Sequence, residues 1–200
     1  MNDLIRMIPS ILMIVSPILI SAVGGMICEK AGVVNIALEG LMGIGAFTAA
    51  TVHVLIESST PASVWIAILA GAAAGLVVSI IHAYASISLN ANQVISGTGI
   101  NLLSTGGTIF LAQVIFKMER TQPFKLGMMP GFAGIYPTAW IALAIVLLSW
   151  YLLYRRPFGL RLRACGEHPQ AAASAGIDVR RMRYIAVLAS GFLAGVAGAC

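Results

Sequence analysis

Charged side chains are scarce in this sequence, and their scarcity excludes an ordinary soluble domain. Only 10% of the 200 residues are Asp, Glu, Lys or Arg, whereas 59% are hydrophobic. Soluble domains carry roughly 25% charged residues. Because apolar stretches recur evenly along the chain, we expect a single membrane domain over residues 1–200. The predicted fold is an all-α, polytopic, integral membrane helical bundle.

Residues that carry out metal, redox or nucleophilic chemistry are also few. The three cysteines, Cys28, Cys165 and Cys200, are far apart and odd in number, so they suggest neither a disulfide framework nor a paired metal site. The histidines lie in separate segments without an HExxH pairing, and the sequence has no GxSxG elbow. We therefore predict no catalytic residues and no metal site, and we treat the cysteines as small apolar residues.

The sequence also lacks a GxxxxGK(S/T) phosphate loop, the motif with which many ATPases bind ATP. We expect no cofactor bound by this chain and no enzymatic activity. If the protein moves a solute, the energy must come from a partner or from an ion gradient.

Basic residues outnumber acidic ones by 12 to 7, and they are concentrated in one place. Seven of the 12 basic residues fall within residues 155–183, between apolar stretches. This pattern is typical of a cytoplasmic loop in a membrane protein and argues against a nucleic-acid partner. The alternative is that the charges only fix the topology and attract anionic membrane lipid.

Six apolar stretches are long enough to cross a bilayer, which takes about 20 residues. They cover residues 8–28, 38–56, 64–89, 94–116 and 138–154, and a last stretch that starts at Tyr184. The last stretch reaches Cys200 while still apolar, so we expect a fragment truncated at the C-terminus. Gly71 and Gly75 have GxxxG spacing, which favours close helix packing within one subunit over a dimer seam.

The number of crossings before the basic loop depends on residues 28–40. Five simple spans place the N-terminus outside if the basic loop is cytoplasmic. Glu29, Lys30, Asn35 and Glu39 interrupt the apolar pattern in this stretch, however. A broken or re-entrant element there would shift the count by one, and such elements are tolerated only inside protein or beside a cavity.

The first candidate site is the motif GVVNIALEG, residues 32–40. An uncompensated carboxylate at the centre of a span costs about 2.5–3.5 kcal/mol, so Glu39 should face protein or water. We predict that Asn35 and Glu39 shape or border a substrate path. The alternative is that Glu39 lies at the headgroup level, where the second span begins.

The second candidate site is a polar stripe in the fourth span. Its members follow offsets of 0, 4, 8, 11 and 15, which is one face of a helix: Gln93, Gly97, Asn101, Ser104 and Thr108. The stripe could line a wet path for a polar solute. Equally, it could hydrogen-bond neighbouring helices, because membrane helices use Ser, Thr and Asn in this way.

The third candidate site is a short helix in the basic loop, residues 169–175. Pro169 suits a first helical position, and Gly176 suits the left-handed residue after a helix end. Asp178 can then cap the following helix. Ala171 and Ala172 would give the short helix a low-relief face able to dock into the groove of a partner.

These motifs resemble a known family of membrane proteins. In this order and separation, GVVNIALEG, NQVISGTGIN and FGLRLRACGEHPQAAASAGI are similar to the permeases of ATP-binding cassette (ABC) importers for branched-chain amino acids, ribose-type sugars and nucleosides. The resemblance covers almost the whole chain. The pairs Asn35-Ile36 and Glu39-Gly40 are most similar to the nucleoside or purine branch.

The resemblance implies a multi-pass subunit of the bacterial cytoplasmic (inner) membrane. Its implied partners are ABC ATPase subunits that hold the ATP, an extracytoplasmic solute-binding protein, and a second permease in a homo- or heterodimer. Residues 155–184 then correspond to the cytoplasmic loop that couples to the ATPases. The matching residues of that loop include Gly159, Arg163, Gly166, Ala171, Ala172 and Gly176.

Two questions about function stay open at the level of the sequence. A secondary, ion-coupled transporter would need ionisable residues near the midplane and an inverted repeat, and Glu39 is the one strong carboxylate candidate. Among importer solutes we expect a nucleoside or a related purine. A ribose-type sugar and a branched-chain amino acid are the alternatives.

Overall fold

The computed structural model describes residues 2–124, 131 and 134–200, and their side chains from Met7 onward. Within these ranges the regular secondary structure is helical. The helices are α1 (Asn2–Lys30), α2 (Leu38–Ile56), α3 (Ser63–Ala83), α4 (Gln93–Phe116), α5 (Pro137–Arg155), α6 (Pro157–Glu167), α7 (Pro169–Ser174) and α8 (Val179–Ala199). A π-helical turn, Tyr84–Ser88, extends α3. The predicted all-α membrane fold is confirmed.

Six of these helices are long and apolar enough to cross a membrane, at the positions that the apolar stretches predict. One difference is at α8, which begins at Val179 instead of Tyr184. The reason is a capping interaction, because the carboxylate of Asp178 accepts a hydrogen bond of 2.9 Å from the backbone N–H of Arg181. The arginines after Asp178 therefore form the first turn of the membrane helix.

Helix α8 is the centre of the bundle and contacts α1, α2 and α3. Of its membrane span, 56% is buried inside the protein, compared with 22% for α4 and for α5. Helix α4 packs mainly on α2, and α5 packs on α1. Helices α4 and α5 therefore leave most of their surface open to lipid or to another subunit.

Glycines bring the central helices into backbone contact. A Cβ atom added to Gly75 would lie 2.5 Å from the carbonyl oxygen of Gly191 in α8, and one added to Gly45 would lie 2.6 Å from that of Gly195. Gly71 meets the carbonyl oxygen of Gly45 in the same way, at 2.7 Å. The prediction that the GxxxG pair packs within one subunit is confirmed.

Residues 31–37 form a non-helical segment between α1 and α2, which we call the strap. The expected break therefore exists, but it adds no crossing. Gly32 lies against Gly166 of α6, whereas the first residue of the 29-residue helix α1 lies about 43 Å away at the other end of the bundle. The helices thus run along the bundle five times before the basic loop, which agrees with the simple count of five spans.

Arginine and aromatic side chains mark the end of the bundle that carries α6 and α7. Three guanidinium groups lie over aromatic rings at centroid distances of 5.3, 4.9 and 5.1 Å, in the pairs Arg155–Trp150, Arg156–Tyr151 and Arg163–Tyr154. Such pairs suit a membrane–water boundary, where a ring can stay in the apolar layer while the charge stays in water. We refer to this as the basic end of the bundle.

The glycine contacts predict a difference between two identical substitutions. Gly75→Ala places a methyl group against the carbonyl oxygen of Gly191, and overpacking of this kind costs about 1–3 kcal/mol. Gly106→Ala is the matched control, because nothing lies within 4 Å of its added Cβ. Both variants gain the higher helix propensity of alanine, about 1 kcal/mol. We expect only Gly75→Ala to lower the thermal unfolding temperature of the full-length protein in detergent, and equal temperatures would contradict the α3–α8 contact.

Candidate functional site

The side chain of Asn35 fixes the middle of the strap to the central helix. Its Nδ2 donates a hydrogen bond of 2.9 Å to Oγ of Ser190 in α8, and its Oδ1 accepts one of 3.1 Å from the backbone N–H of Ala37. The Asn35 side chain is buried. Asn35 therefore shapes the strap from inside the protein.

Two members of the polar stripe of α4 hold the outer side of the strap. Oε1 of Gln93 accepts a hydrogen bond of 2.7 Å from the backbone N–H of Val34. Both polar atoms of the Asn101 amide are hydrogen-bonded. Oδ1 accepts from the N–H of Gly40 at 2.8 Å, and Nδ2 donates to the carbonyl oxygen of Ile36 at 3.1 Å. These bonds satisfy backbone groups that a helix would have paired internally.

Gly97 lets the two segments approach closely enough for these bonds. A Cβ atom on Gly97 would lie 3.0 Å from the backbone nitrogen of Ala37. The first half of the stripe therefore joins α4 to the strap, which is the hydrogen-bonding role that the sequence left open as an alternative.

The second half of the stripe faces an open groove between α2 and α4. The groove has a volume of about 520 Å³, within the range of small-molecule sites. It is lined by Glu39, Gly40, Gly43, Thr98, Asn101, Leu102, Ser104, Thr105, Thr108 and Ile109. Of the predicted path residues, Glu39 on the α2 side and Asn101, Ser104 and Thr108 on the α4 side thus come together around this groove.

Asn35 and Gln93 do not line this groove. The amide of Asn35 is buried against Ser190, and Gln93 bonds to the strap instead. Sequence reasoning missed Thr98 and Thr105, which lie one position beyond members of the stripe and seven residues apart. The spacing of two helical turns could have identified them.

Hydrogen-bond acceptors predominate on the groove wall. Thr105 and Thr108 donate their hydroxyl protons to carbonyl oxygens of their own helix, at 3.0 and 2.7 Å, and Thr98 does the same at 3.0 Å. Their hydroxyl oxygens keep lone pairs that can accept from a ligand. Glu39 adds an exposed carboxylate in the first turn of α2, and it is the one charged residue among the described groove residues. The groove therefore suits a solute rich in donors.

A second cavity, of about 510 Å³, lies at the end of the bundle opposite to α6 and α7. Small and apolar side chains make up most of its wall, together with His53, Phe124, Tyr136 and Thr138. His53 packs edge-on against Phe124 and lies 3.7 Å from the carboxylate of Glu57. None of the predicted path or coupling residues lines this cavity.

At the basic end, α6 packs against the ends of two membrane helices through glycines. Gly159 meets the backbone of Leu153 in α5, and Gly166 meets the carbonyl oxygen of Lys30 at the end of α1, so closely that neither position has room for a Cβ atom. Arg163 donates from Nε to the carbonyl oxygen of Gly159 at 3.3 Å. These three residues position α6 against the membrane helices.

The short helix α7 forms as predicted, with Pro169 at its first position and Gly176 in the left-handed conformation at φ +79°. The N–H of Gly176 bonds to the carbonyl of Ala173, and that of Ile177 bonds to the carbonyl of Ala172, which closes the helix end.

The predicted docking face of α7 needs a correction. Ala172 is 4% exposed and packs in the apolar cluster beneath α7, with Leu162, Cys165 and Met182. It cannot contact a partner, because its methyl group fills the interface between α7 and the rest of the subunit. Ala171 is exposed, as are Gln170, Ala173 and Ser174.

Cys165 behaves as the small apolar residue that the sequence predicted. Its side chain is fully buried in the same cluster. Burial raises the pKa of its thiol, although the charge of Arg183 opposes this shift. The thiol is therefore a packing group and stays protonated at neutral pH.

Comparison with known proteins gives a consistent picture. Residues 7–200 match the family described as "Branched-chain amino acid transport system / permease component". The chain is 41% identical to the guanosine ABC transporter permease protein NupQ of Bacillus subtilis, over 96% of this chain and 65% of the relative. It is 35% identical to the nucleoside ABC transporter permease protein NupC of Lactococcus lactis, over 99% of this chain and 67% of the relative.

A third similar protein is the putative glucose ABC transporter permease protein TsgC13 of Haloferax volcanii. It shares 33% identity over 91% of this chain and 58% of its own length. The chain thus spans about two thirds of the length of the curated relatives that it matches.

The bond between Asn35 and Ser190 predicts coupled effects on stability. We expect Asn35→Ala and Ser190→Ala each to destabilise the full-length protein, and the double variant to lose less than the sum. Double-mutant cycles of membrane-embedded hydrogen bonds average about 0.6 kcal/mol and reach about 1.7 kcal/mol. Unfolding in mixed micelles measures these energies. The control cycle pairs Ser190→Ala with Asn92→Ala, which removes the α4 cap and should be additive; additivity in both cycles would refute the coupling.

Proposed function

Because the chain belongs to the permease family of branched-chain amino acid transport systems, we propose that it is the membrane-spanning permease subunit of an ABC importer that carries a nucleoside. The observation that carries this proposal is the acceptor-rich groove between α2 and α4, with Glu39 at its wall. The similarity to permeases named for guanosine and nucleoside transport supports the same solute class.

The chemistry of the groove discriminates among the solutes that such importers carry. A nucleoside offers several hydroxyl donors and, on guanine or adenine, ring or amino N–H donors. Glu39 and the threonine oxygens can accept from all of these. A nucleotide brings phosphate, which would place negative charge near Glu39. Leucine brings an ammonium group that Glu39 could pair, but its carboxylate and its apolar side chain offer no further donors to the threonine oxygens. A ribose-type sugar shares the donors of a nucleoside and is the nearest alternative.

The energy for transport would come from separate ABC ATPase subunits. The sequence contains no phosphate loop, while α7 presents an exposed, low-relief surface at the basic end. We further propose two other partners: a second permease subunit, which is a copy or a homologue of this chain, and an extracytoplasmic solute-binding protein. The complex would lie in the bacterial cytoplasmic membrane with the basic end inside. An abundance of arginine on that side agrees with the positive-inside rule.

Removal of the Glu39 charge should weaken solute recognition. Glu39→Gln keeps the size of the side chain but replaces charged acceptors with an amide, and a hydrogen bond to a charged group contributes about 1.5–3 kcal/mol. We therefore expect the KM for nucleoside uptake to rise by roughly 10-fold or more. Uptake by the complete importer in proteoliposomes measures this. Glu29→Gln is the control, because Glu29 is exposed outside the groove.

Competition in the same assay tests the solute class. We expect unlabelled guanosine, adenosine and ribose to compete with labelled nucleoside for uptake, each to the extent that its donors fit the groove. Guanosine monophosphate and leucine should not compete. If leucine alone competes, or if Glu39→Gln leaves the KM unchanged, the proposed solute class is wrong.

Docking of the ATPase on α7 predicts a second effect. Ala171→Glu adds bulk and a charge that loses water when the surfaces meet, which costs a few kcal/mol, on the order of 2–7, if the group stays unpaired. We expect loss of co-purification with the ATPase and loss of ATP-driven uptake. Ala62→Glu makes the same change at an exposed site at the other end of the bundle and should retain both.

The same preparation distinguishes the alternative function. Uptake by the full-length permease alone, driven by a proton or sodium gradient without the ATPase, would show a secondary transporter. Wild-type ATPase association of Ala171→Glu would show that α7 is not the docking surface.

A further inference from the structure

The strap touches the proposed coupling segment at one end. Gly32 has φ +78°, and a Cβ atom on it would lie 3.1 Å from Cα of Gly166 in α6. Nε of Arg183 in α8 donates a hydrogen bond of 3.3 Å to the carbonyl oxygen of Ala31. The contact between Gly32 and Gly166 joins backbone to backbone, and no flexible side chain lies between them. A displacement of α6 is therefore transmitted directly to the strap.

At its other end the strap runs into the groove wall. Ile36, near the end of the strap, is bonded to the Asn101 amide, and the same amide accepts from the N–H of Gly40. Glu39 lies between these two bonded residues. Its backbone position is consequently set by the strap and by Asn101 together.

Between the two ends, the strap is bonded on both of its sides. Gln93 holds Val34 from the α4 side, and Ser190 holds Asn35 from the α8 side. Alternate residues of the strap, at positions 31, 33, 35 and 37, are buried in the protein. A backbone group that loses its partner there finds no water to replace it. We therefore expect the strap to move as a unit with its hydrogen bonds intact, because local unfolding would leave these groups unpaired.

From these contacts we propose that the strap is the link by which α6 positions Glu39. Gly166 and Gly32 transmit the position of α6, and Gln93 and Asn101 keep the strap aligned along α4. In these terms Gly166, Gly32 and Gln93 are positioning residues, whereas Glu39 contacts the solute. The proposal rests on the proposed function and adds the route by which the state of the ATPase regulates the groove.

The experiment compares variants at the two ends of this route in the complete importer, reconstituted in nanodiscs with its ATPases and solute-binding protein. Gly166→Ala inserts a methyl group where the carbonyl oxygen of Lys30 leaves no room. Gly99→Ala is the matched control, because nothing lies within 4 Å of its added Cβ. The measured quantities are basal ATP hydrolysis, its stimulation by guanosine with the binding protein, and the KM and maximal rate of guanosine uptake.

We expect Gly166→Ala to keep ATPase association and basal hydrolysis. Its stimulation of ATP hydrolysis by guanosine should fall at least about fivefold, which is the lower bound of typical allosteric coupling. The maximal uptake rate should fall with it. Gly99→Ala should behave as wild type.

A second pair of variants makes the test independent of the folding of Gly166→Ala. Gln93→Leu removes the acceptor for the N–H of Val34, whereas Gln93→Glu retains an acceptor at the same place. Gln93 is outside the groove. We expect Gln93→Leu to lose stimulation and Gln93→Glu to restore most of it, and a residue needed only for packing would not show this rescue.

Hydrogen exchange gives a direct view of the strap. In the wild-type complex, we expect ATP binding to change the exchange rate of a peptide that contains Val34 and Ala37, and we expect this change to be absent in Gly166→Ala. The link is refuted if the folded variants Gly166→Ala and Gln93→Leu keep wild-type stimulation, or if Gln93→Glu is as defective as Gln93→Leu. If the wild-type importer itself shows no guanosine-stimulated hydrolysis and no guanosine uptake, the proposed function fails and the link fails with it.

Discussion

The need to pair backbone groups inside an apolar environment dominates this structure. Once the chain leaves helical geometry at residues 31–37, its backbone groups lose the regular helical partners. The N–H groups of Ala31, Gly32 and Val33 still bond to carbonyl oxygens at the end of α1, but those farther along the strap need side-chain partners. The side chains of Asn35, Gln93 and Asn101 supply them, by pairing the N–H of Ala37, the N–H of Val34 and the carbonyl of Ile36. The placement of α4 beside α2, and with it the groove between them, follows from meeting this requirement.

The bundle separates a tightly packed part from an open part. Glycines hold α3 and α8 at backbone contact, which leaves little freedom for these helices to slide. Helices α4 and α5 are much less buried, and the groove lies on the side of α4. Movement of the groove wall is therefore easier than movement of the central helices.

The membrane spans and the local motifs could be predicted from sequence because they depend on nearby residues. Apolar length defines the spans, and Pro169, Gly176 and Asp178 mark helix ends through their own backbone or capping chemistry. The role of each polar residue in α4 could not be predicted, because Gln93 and Ser104 lie on the same helical face but meet different partners. Ala172 illustrates a further limit, since a helix of six mostly small residues has no apolar pattern that shows which side is buried.

The threonines of the groove have a consequence for how such a protein can diversify. Three threonines, Thr98, Thr105 and Thr108, donate their hydroxyl protons to carbonyl oxygens of α4 itself. A substitution at these positions therefore breaks none of these threonines' bonds to the strap, because they make none there. Asn101 lines the same groove but also holds the strap, so an exchange there alters recognition and architecture together. Under the proposed function, a change of solute is therefore least obstructed at the threonines, and directed selection of altered specificity should begin with them.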